Sequence, residues 1–348
     1  MFGWFRLPIF RDVALDLGTA NTVLYAKSAR IIMDEPSVVI VHSGPRSDNE
    51  IVAIGEAARP LLGRSTRTLT AVRPLRDGVI GDFQGAEALI KYALKKYKRG
   101  PSFKRTRLIV GVPASATAVE RRAICESASV AGASRVYLVE EGVAAAIGAG
   151  LDIFDPTGSM VIDIGGGTTE VTAFSLGTVN FSSSTRAAGD LMDDAIISFV
   201  RRQFNAAIGE QTAEKIKFEL GAAIIDNTTD DGPFVEVVGR DLVNGKPRTL
   251  IVGKRAIYEA LQEPIGQILE AVQTAIESVP PEIVADLLSK GVIMTGGGAL
   301  LQNLDKIVSA HIEMPVFVAE DPLRCVARGL GCIIDEIDKY KGVLLESP

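Results

Sequence analysis

The chain has 348 residues, 47% of them hydrophobic and 23% charged, with a net charge of −6. That length is too great for one ordinary core and suits two domains; the composition excludes intrinsic disorder, and the acidic balance argues against a protein that coats nucleic acid. Three cysteines without CxxC spacing (Cys125, Cys325, Cys332) read as buried free thiols, and two distant histidines, His42 and His311, argue against a histidine metal site or triad.

The opening segment, "MFGWFRLPIF", has no basic stretch ahead of its apolar part and no small-residue cleavage site, so it does not read as a signal peptide. Its large apolar side chains, with Arg6 and Arg11, suit either a lipid headgroup boundary or packing on the first domain. Strands are predicted at Val13–Leu17 and Thr22–Tyr25, joined by the turn Gly18-Thr19-Ala20-Asn21. The run "KYALKKYKRGPSFKRTR", Lys91–Arg107, holds eight basic residues and no acidic one. It reads as a solvated helix face with a basic end, or as a contact for an anionic leaflet with Pro101–Phe103 at its tip. A strand at Arg107–Val112 precedes a helix that opens at Thr117, with Glu120 completing a capping box, and stops near Gly132. A strand at Val136–Val139 leads into Glu140 and Glu141, and a Gly/Pro/Asp-rich stretch puts a boundary near residue 150.

Beyond it, strands at Ser159–Ile164 and Glu170–Leu176 flank a second glycine turn, and two amphipathic helices follow in "DLMDDAIISFVRRQF" and "TAEKIKFEL". The turn-rich segment 226–252 reads as a small antiparallel insertion. A long helical pattern from Lys254 carries Pro264, where a kink or a break is expected. The strand Val292–Thr295 ends in "GGGALL". Strands alternating with helices indicate α/β layers.

Two stretches share one grammar. "LDLGTANTVLY" and "IDIGGGTTEVT" both run strand, Asp-x-Gly, turn, strand, which suggests two domains of one plan. Glycine at the tip lets backbone N–H groups converge where a β-carbon would intrude, and such a nest suits phosphate. Asp16 and Asp163 cannot bind phosphate directly; they make sense through a hydrated Mg2+ between carboxylate and phosphate. The third turn, Gly296–Ala299, adds another backbone surface. Neither GxxxxGK[ST] nor GxGxxG occurs, so neither a P-loop nor a Rossmann dinucleotide site is expected. Together the three turns indicate a nucleotide held between two domains.

These turns, with "RPLRDGVIGDF", "GVPASATAVERRAI", "GASRVYLVEE", "TAEKIK" and "VIMTGGGALLQNLD", resemble the actin, Hsp70 and sugar-kinase superfamily, and within it the MreB family of bacterial actins, from about Asp12 to Asp338. The resemblance implies an α/β, actin-like ATPase fold: two duplicated ribonuclease-H-like domains with small inserted subdomains around a nucleotide cleft. The first domain would span 1–150, with an insertion at about 34–70 and a C-terminal helix at about 325–348 returning to it; the second would span 151–324, with an insertion at about 187–250. ATP and Mg2+ are the implied cofactors, the metal held through water by Asp16 and Asp163. Gly18, Thr19, Ala20 and Asn21 would hold the β and γ phosphates from one side, and Gly165, Gly166, Gly167 and Thr168 from the other. Glu214 and Lys217 would meet the nucleoside, and Gly296, Gly297, Gly298 and Ala299 would pass under the adenine and α-phosphate. Glu141 would orient the attacking water with Thr168 as the other catalytic residue, and Glu140 is the second choice; the family usually has proline next, where this chain has Gly142.

The implied function is an ATP-dependent filament that organises cell-wall elongation and rod shape. It would be cytoplasmic, peripheral on the inner face of the cell membrane through Met1–Phe10 and Pro101–Phe103. Its partners would be copies of itself and cell-wall elongation proteins, with no nucleic acid. A magnetosome-type filament is the alternative. A metabolic kinase would need an acceptor pocket with an aspartate base, and an Hsp70-type ATPase a peptide-binding domain after the clamp; neither is readable here.

Overall fold

The chain divides into two units, one of residues 1–153 and 324–348, the other of residues 154–323. The computed structural model describes residues 10–27, 30–44, 47–64, 66, 68–76, 78–97, 105–225 and 233–345. The proposed lipid contacts, Pro101–Phe103 and the N-terminal segment up to residue 9, lie outside the described residues.

In the first unit β1 (Phe10–Leu17), β2 (Asn21–Ala26) and β3 (Arg30–Pro36) form an antiparallel meander. A separate antiparallel sheet, in the order β5-β4-β6, is made by β4 (Val39–Gly44), β5 (Ser47–Ile54) and β6 (Leu69–Val72), and a short hairpin by β7 (Leu75–Arg76) and β8 (Val79–Ile80). The chain continues as α1 (Phe83–Tyr97), β9 (Arg105–Val112), α2 (Ala118–Val130), β10 (Arg135–Glu140) and α3 (Glu141–Gly148). The main sheet has the order β3-β2-β1-β9-β10, with β9 parallel to both β1 and β10. Val13, Leu15, Leu108, Val110 and Leu138 are fully buried in it, and Leu89, Ile90 and Leu94 on α1 pack into the same core. α2 starts with the expected capping box: Glu120 N–H donates to Thr117 Oγ1 at 3.3 Å, and Thr117 N–H to Glu120 Oε2 at 2.7 Å.

The second unit repeats the plan. β11 (Ser159–Ile164), β12 (Thr169–Ser175) and β13 (Thr178–Thr185) are again an antiparallel meander. Leu176 and Gly177, both at positive φ, turn the chain between β12 and β13, as a tight hairpin requires. Then come α4 (Gly189–Phe204), β14 (Ala206–Ala207), α5 (Glu210–Leu220), β15 (Phe234–Asp241), β16 (Pro247–Gly253), α6 (Lys254–Ser278), α7 (Pro281–Lys290), β17 (Val292–Thr295), α8 (Leu304–Ile312) and β18 (Val316–Val318). The sheet order β13-β12-β11-β17-β18, with β17 parallel to β11 and β18, matches that of the first unit strand for strand. Strands β14, β15 and β16 form a small antiparallel sheet.

Of the kink or break expected at Pro264, α6 shows no break: the helix runs from Lys254 through Ser278. The proline forgoes one backbone hydrogen bond, but it is buried with Leu261, Ile265 and Ile268 along one stripe, and that burial outweighs the missing bond. The last helix, α9 (Cys325–Asp335), belongs to the first unit, where it packs on α3. The two helices touch at glycines: a β-carbon on Gly148 would lie 1.8 Å from Cys325 O, and one on Gly329 the same distance from Ala144 O.

Candidate functional site

In each unit an aspartate stands near the carboxyl end of the strand that joins the antiparallel meander to the parallel pair, Asp16 on β1 and Asp163 on β11. The carboxyl ends of parallel strands are where open α/β sheets place ligands.

In the first unit, the turn after Asp16 closes with Gly18 N–H donating to Asn21 O at 3.1 Å. A β-carbon on Gly18 would lie 2.8 Å from that oxygen, so the turn requires glycine. Ser37, which the sequence reading passed over, braces it: its Oγ donates to Gly18 O at 2.6 Å and its N–H to Ala20 O at 2.9 Å. Thr19 is buried and Ala20 exposed. Asn21 Nδ2 donates to Asp34 Oδ1 at 3.1 Å, and Asp34 also pairs with Arg324 at 3.1 Å. On the same sheet Glu140 ends β10 beside Val112, and Glu141 opens α3. One carboxylate oxygen of Glu140 is buried without a hydrogen-bond partner. Gly111 makes room for Glu141, whose Cγ would be 3.3 Å from a β-carbon there. Gly142 is buried inside the first turn of α3.

In the second unit the register Asp163↔Thr295 sets the ends of β11 and β17 side by side. Thr295 Oγ1 donates to Asp163 Oδ1 at 2.7 Å. Asp163 is buried, and burial pushes its carboxyl up to about 6, against the lowering effect of that hydrogen bond. The following turn closes with Gly165 N–H on Thr168 O at 2.8 Å, and Thr168 is itself buried. Its carbonyls hold the start of α4: Gly189 N–H donates to Gly165 O at 3.2 Å and Asp190 N–H to Gly166 O at 2.7 Å. Gly296 and Gly298 press against Ile164, so the glycine turn after β17 lies on the end of β11, with Ala299 buried behind it. The structure thus gathers Asp163, Gly165–Thr168 and Gly296–Ala299 in one place.

Glu214 and Lys217 lie half-buried on α5. The Lys217 amine is engaged, at 2.8 Å from Asp193 Oδ2 and 2.9 Å from Gly189 O. Asp193 escaped the sequence reading because its partner lies 24 residues away on another helix. The basic run is also less free than its composition suggests. Lys96 donates to Glu35 and sits over the Tyr92 ring, and Arg107 makes a two-pronged pair with Asp12 at 2.9 and 2.6 Å.

A sequence profile of the MreB/Mbl protein family matches residues 10–342. The cell shape-determining protein MreB of Escherichia coli (strain K12) is 48% identical over 343 residues, covering 98% of each chain. The solved structure of MreB 5 of Spiroplasma citri bound to AMPPNP superposes with a TM-score of 0.88 at 33% identity, over 95% of this chain and 97% of that one. A MamK chain from a double helical filament matches with a TM-score of 0.79 at 21% identity, over 94% of this chain and 99% of that one, a likeness of fold.

Proposed function

Because this chain belongs to the MreB/Mbl family, we propose that it is a cell-shape-determining bacterial actin that binds and hydrolyses ATP with Mg2+ and assembles into filaments. The observation that carries the nucleotide reading is the matched pair of strand-end aspartates, Asp16 and Asp163, each followed by a glycine turn in sheets of identical order. Identity of 48% to an MreB, against 21% to MamK, favours the cell-shape reading over the magnetosome-type one. The match to a protein solved with AMPPNP, and with ADP in a second crystal structure, supports an adenine nucleotide as the ligand.

In this reading the turns at Gly18–Asn21 and Gly165–Thr168 present backbone N–H groups to the phosphates. Gly296–Ala299 lies under the nucleoside, and Glu214 and Lys217 flank it. Asp16 and Asp163 would hold the cation through its waters; burial disfavours the ionised form of Asp163, and a nearby positive charge would favour it. Bound Mg2+ would neutralise phosphate charge, keeping most of its waters. Glu141 would orient the attacking water, and Thr168 would be the other catalytic residue.

No helix among the described residues is long and apolar enough to cross a membrane. The proposed placement is peripheral, on the inner face of the cytoplasmic membrane, where the filament guides cell-wall elongation proteins. The experiment that tests the nucleotide reading is Mg2+-dependent ATP binding and phosphate release by the whole chain, by Asp16→Ala and by Asp163→Ala. Both variants should lose the Mg2+ dependence, and its survival in both would refute the assignment.

A further inference from the structure

The turn after Asp163 is held from behind by a relay that the nucleotide reading does not use. Its carbonyls accept from the first N–H groups of α4, Gly165 O from Gly189 at 3.2 Å and Gly166 O from Asp190 at 2.7 Å. Gly189 in turn gives its own carbonyl to the Lys217 amine at 2.9 Å. The same amine reaches Asp193 Oδ2 at 2.8 Å, one turn further along α4. One ammonium therefore ties α5 to the segment on which the glycine turn rests.

An ammonium at that place is poorly sited by itself. The first turn of a helix carries partial positive charge and repels cations. Asp193 supplies the opposite charge that keeps Lys217 there, with side chains only 14% and 12% exposed. Asp193 Oδ1 is buried with no hydrogen-bond partner. Burial pushes the carboxyl up to about 6, opposed by Lys217 and reinforced by the nearby charges of Glu214 and Asp190. Such a buried pair adds little net stability over an apolar replacement, yet removing either partner alone is costly, so each charge holds the other in place.

We infer that Asp193 is a positioning residue for nucleotide phosphates: it holds Lys217 on the Gly189 carbonyl and so fixes the Gly165–Thr168 turn. The inference deepens the proposed function and rests on it. It makes the Lys217 amine a brace for the phosphate turn, while the methylene stem of the same side chain remains available to the nucleoside.

The test is competition of AMPPNP and of adenosine against fluorescent ADP, with thermal unfolding recorded alongside. The proteins are the whole chain, Asp193→Asn, Asp193→Ala, Lys217→Met and the double variant Asp193→Asn/Lys217→Met. Loss of one charge-assisted bond predicts AMPPNP weakened about 10-fold or more in Asp193→Asn. Adenosine should lose distinctly less affinity than AMPPNP, because it carries no phosphate to place and meets only the Lys217 stem. The melting temperature of Asp193→Asn should fall without loss of the fold, since the Lys217 ammonium keeps its two hydrogen bonds and loses only the opposite charge. The double variant should bind AMPPNP no more weakly than Lys217→Met alone.

Unchanged AMPPNP affinity in Asp193→Asn, additive losses in the double variant, or equal losses of AMPPNP and adenosine would each overturn the inference. Unfolding of Asp193→Asn, the closest isostere, would make Asp193 a plain structural residue and overturn it as well, whatever Asp193→Ala does. A parent chain that binds neither AMPPNP nor fluorescent ADP would instead refute the nucleotide reading itself.

Discussion

Gly296 and Ile164 stand so close that a β-carbon on the glycine would fall 2.3 Å from the isoleucine carbonyl oxygen, with φ at +79°. Gly296→Ala therefore meets both a left-handed backbone and a backbone oxygen that cannot move without disturbing β11. Gly150, at φ +87° with nothing within 4 Å, isolates the first effect. Gly150→Ala should destabilise by about 1–2 kcal/mol, and Gly296→Ala by distinctly more, with loss of nucleotide affinity. Chemical denaturation of both variants checks this, and equal losses would show that the strand end yields.

The Asp163 carboxyl gives the chain a pH signature. Its folded pKa, about 6, lies above the ordinary 3.8, so between those values the folded state holds a proton that the unfolded state has released. Stability from this group is therefore full below about pH 4 and falls as pH rises towards 6. At about 1.4 kcal/mol per tenfold change in proton affinity, the loss is on the order of 3 kcal/mol. Asp163→Asn retains an acceptor for Thr295 and should be more stable than the parent at pH 7 but not at pH 4. Denaturant titrations without nucleotide at both pH values measure the difference, and a pH-independent gap would rule the mechanism out.

Glu141→Ala and Thr168→Ala should keep nucleotide and slow phosphate release by about 100- to 1,000-fold, as loss of a single transition-state contact does. Glu140→Ala is the informative companion, because one of its carboxylate oxygens is buried and unpaired. If Glu140→Ala stops turnover and Glu141→Ala does not, the water is held one residue earlier. Persistent filaments in the slow variants would tie turnover to disassembly.

The basic run should divide into two classes in liposome co-sedimentation. Lys91 and Lys95 are exposed, and their alanine variants should each weaken binding to anionic vesicles by about 1 kcal/mol near the surface. Lys96 and Arg107 are held by Glu35 and Asp12, so their alanine variants should lower stability and leave the salt dependence of binding nearly unchanged. Removal of residues 1–10 should reduce the salt-insensitive part of binding; equal salt slopes with and without them would place that segment against the protein.

What was legible in the sequence was whatever its neighbours in the chain determine. The strand-end aspartates, the glycine turns and the Thr117 capping box all declare themselves within a few residues, and the sheets form where they indicate. What was hidden depends on partners far along the chain. Glu35 lies 61 residues from Lys96, and Asp12 lies 95 from Arg107, so the run by itself does not show which of its charges are already held. Ser37 and Asp193 carry no local pattern; their roles exist only once separate elements meet. That α6 runs on through Pro264 is likewise not readable locally, since the burial of Pro264 with Leu261, Ile265 and Ile268 depends on elements elsewhere in the chain.

The glycine contact between α3 and α9 also has a consequence for the order of assembly. Residues 154–323 form an uninterrupted unit, whereas the first unit takes α9 from beyond them. Synthesis from the N-terminus delivers most of the second unit while the first still lacks the helix that fits Gly148. Docking of α9 then closes a loop as long as the whole second unit, and prior folding of that unit shortens the loop and reduces the entropy lost on closure. Until α9 docks, the first unit leaves part of the α3 surface uncovered, so its completion waits on a segment made after the whole second unit.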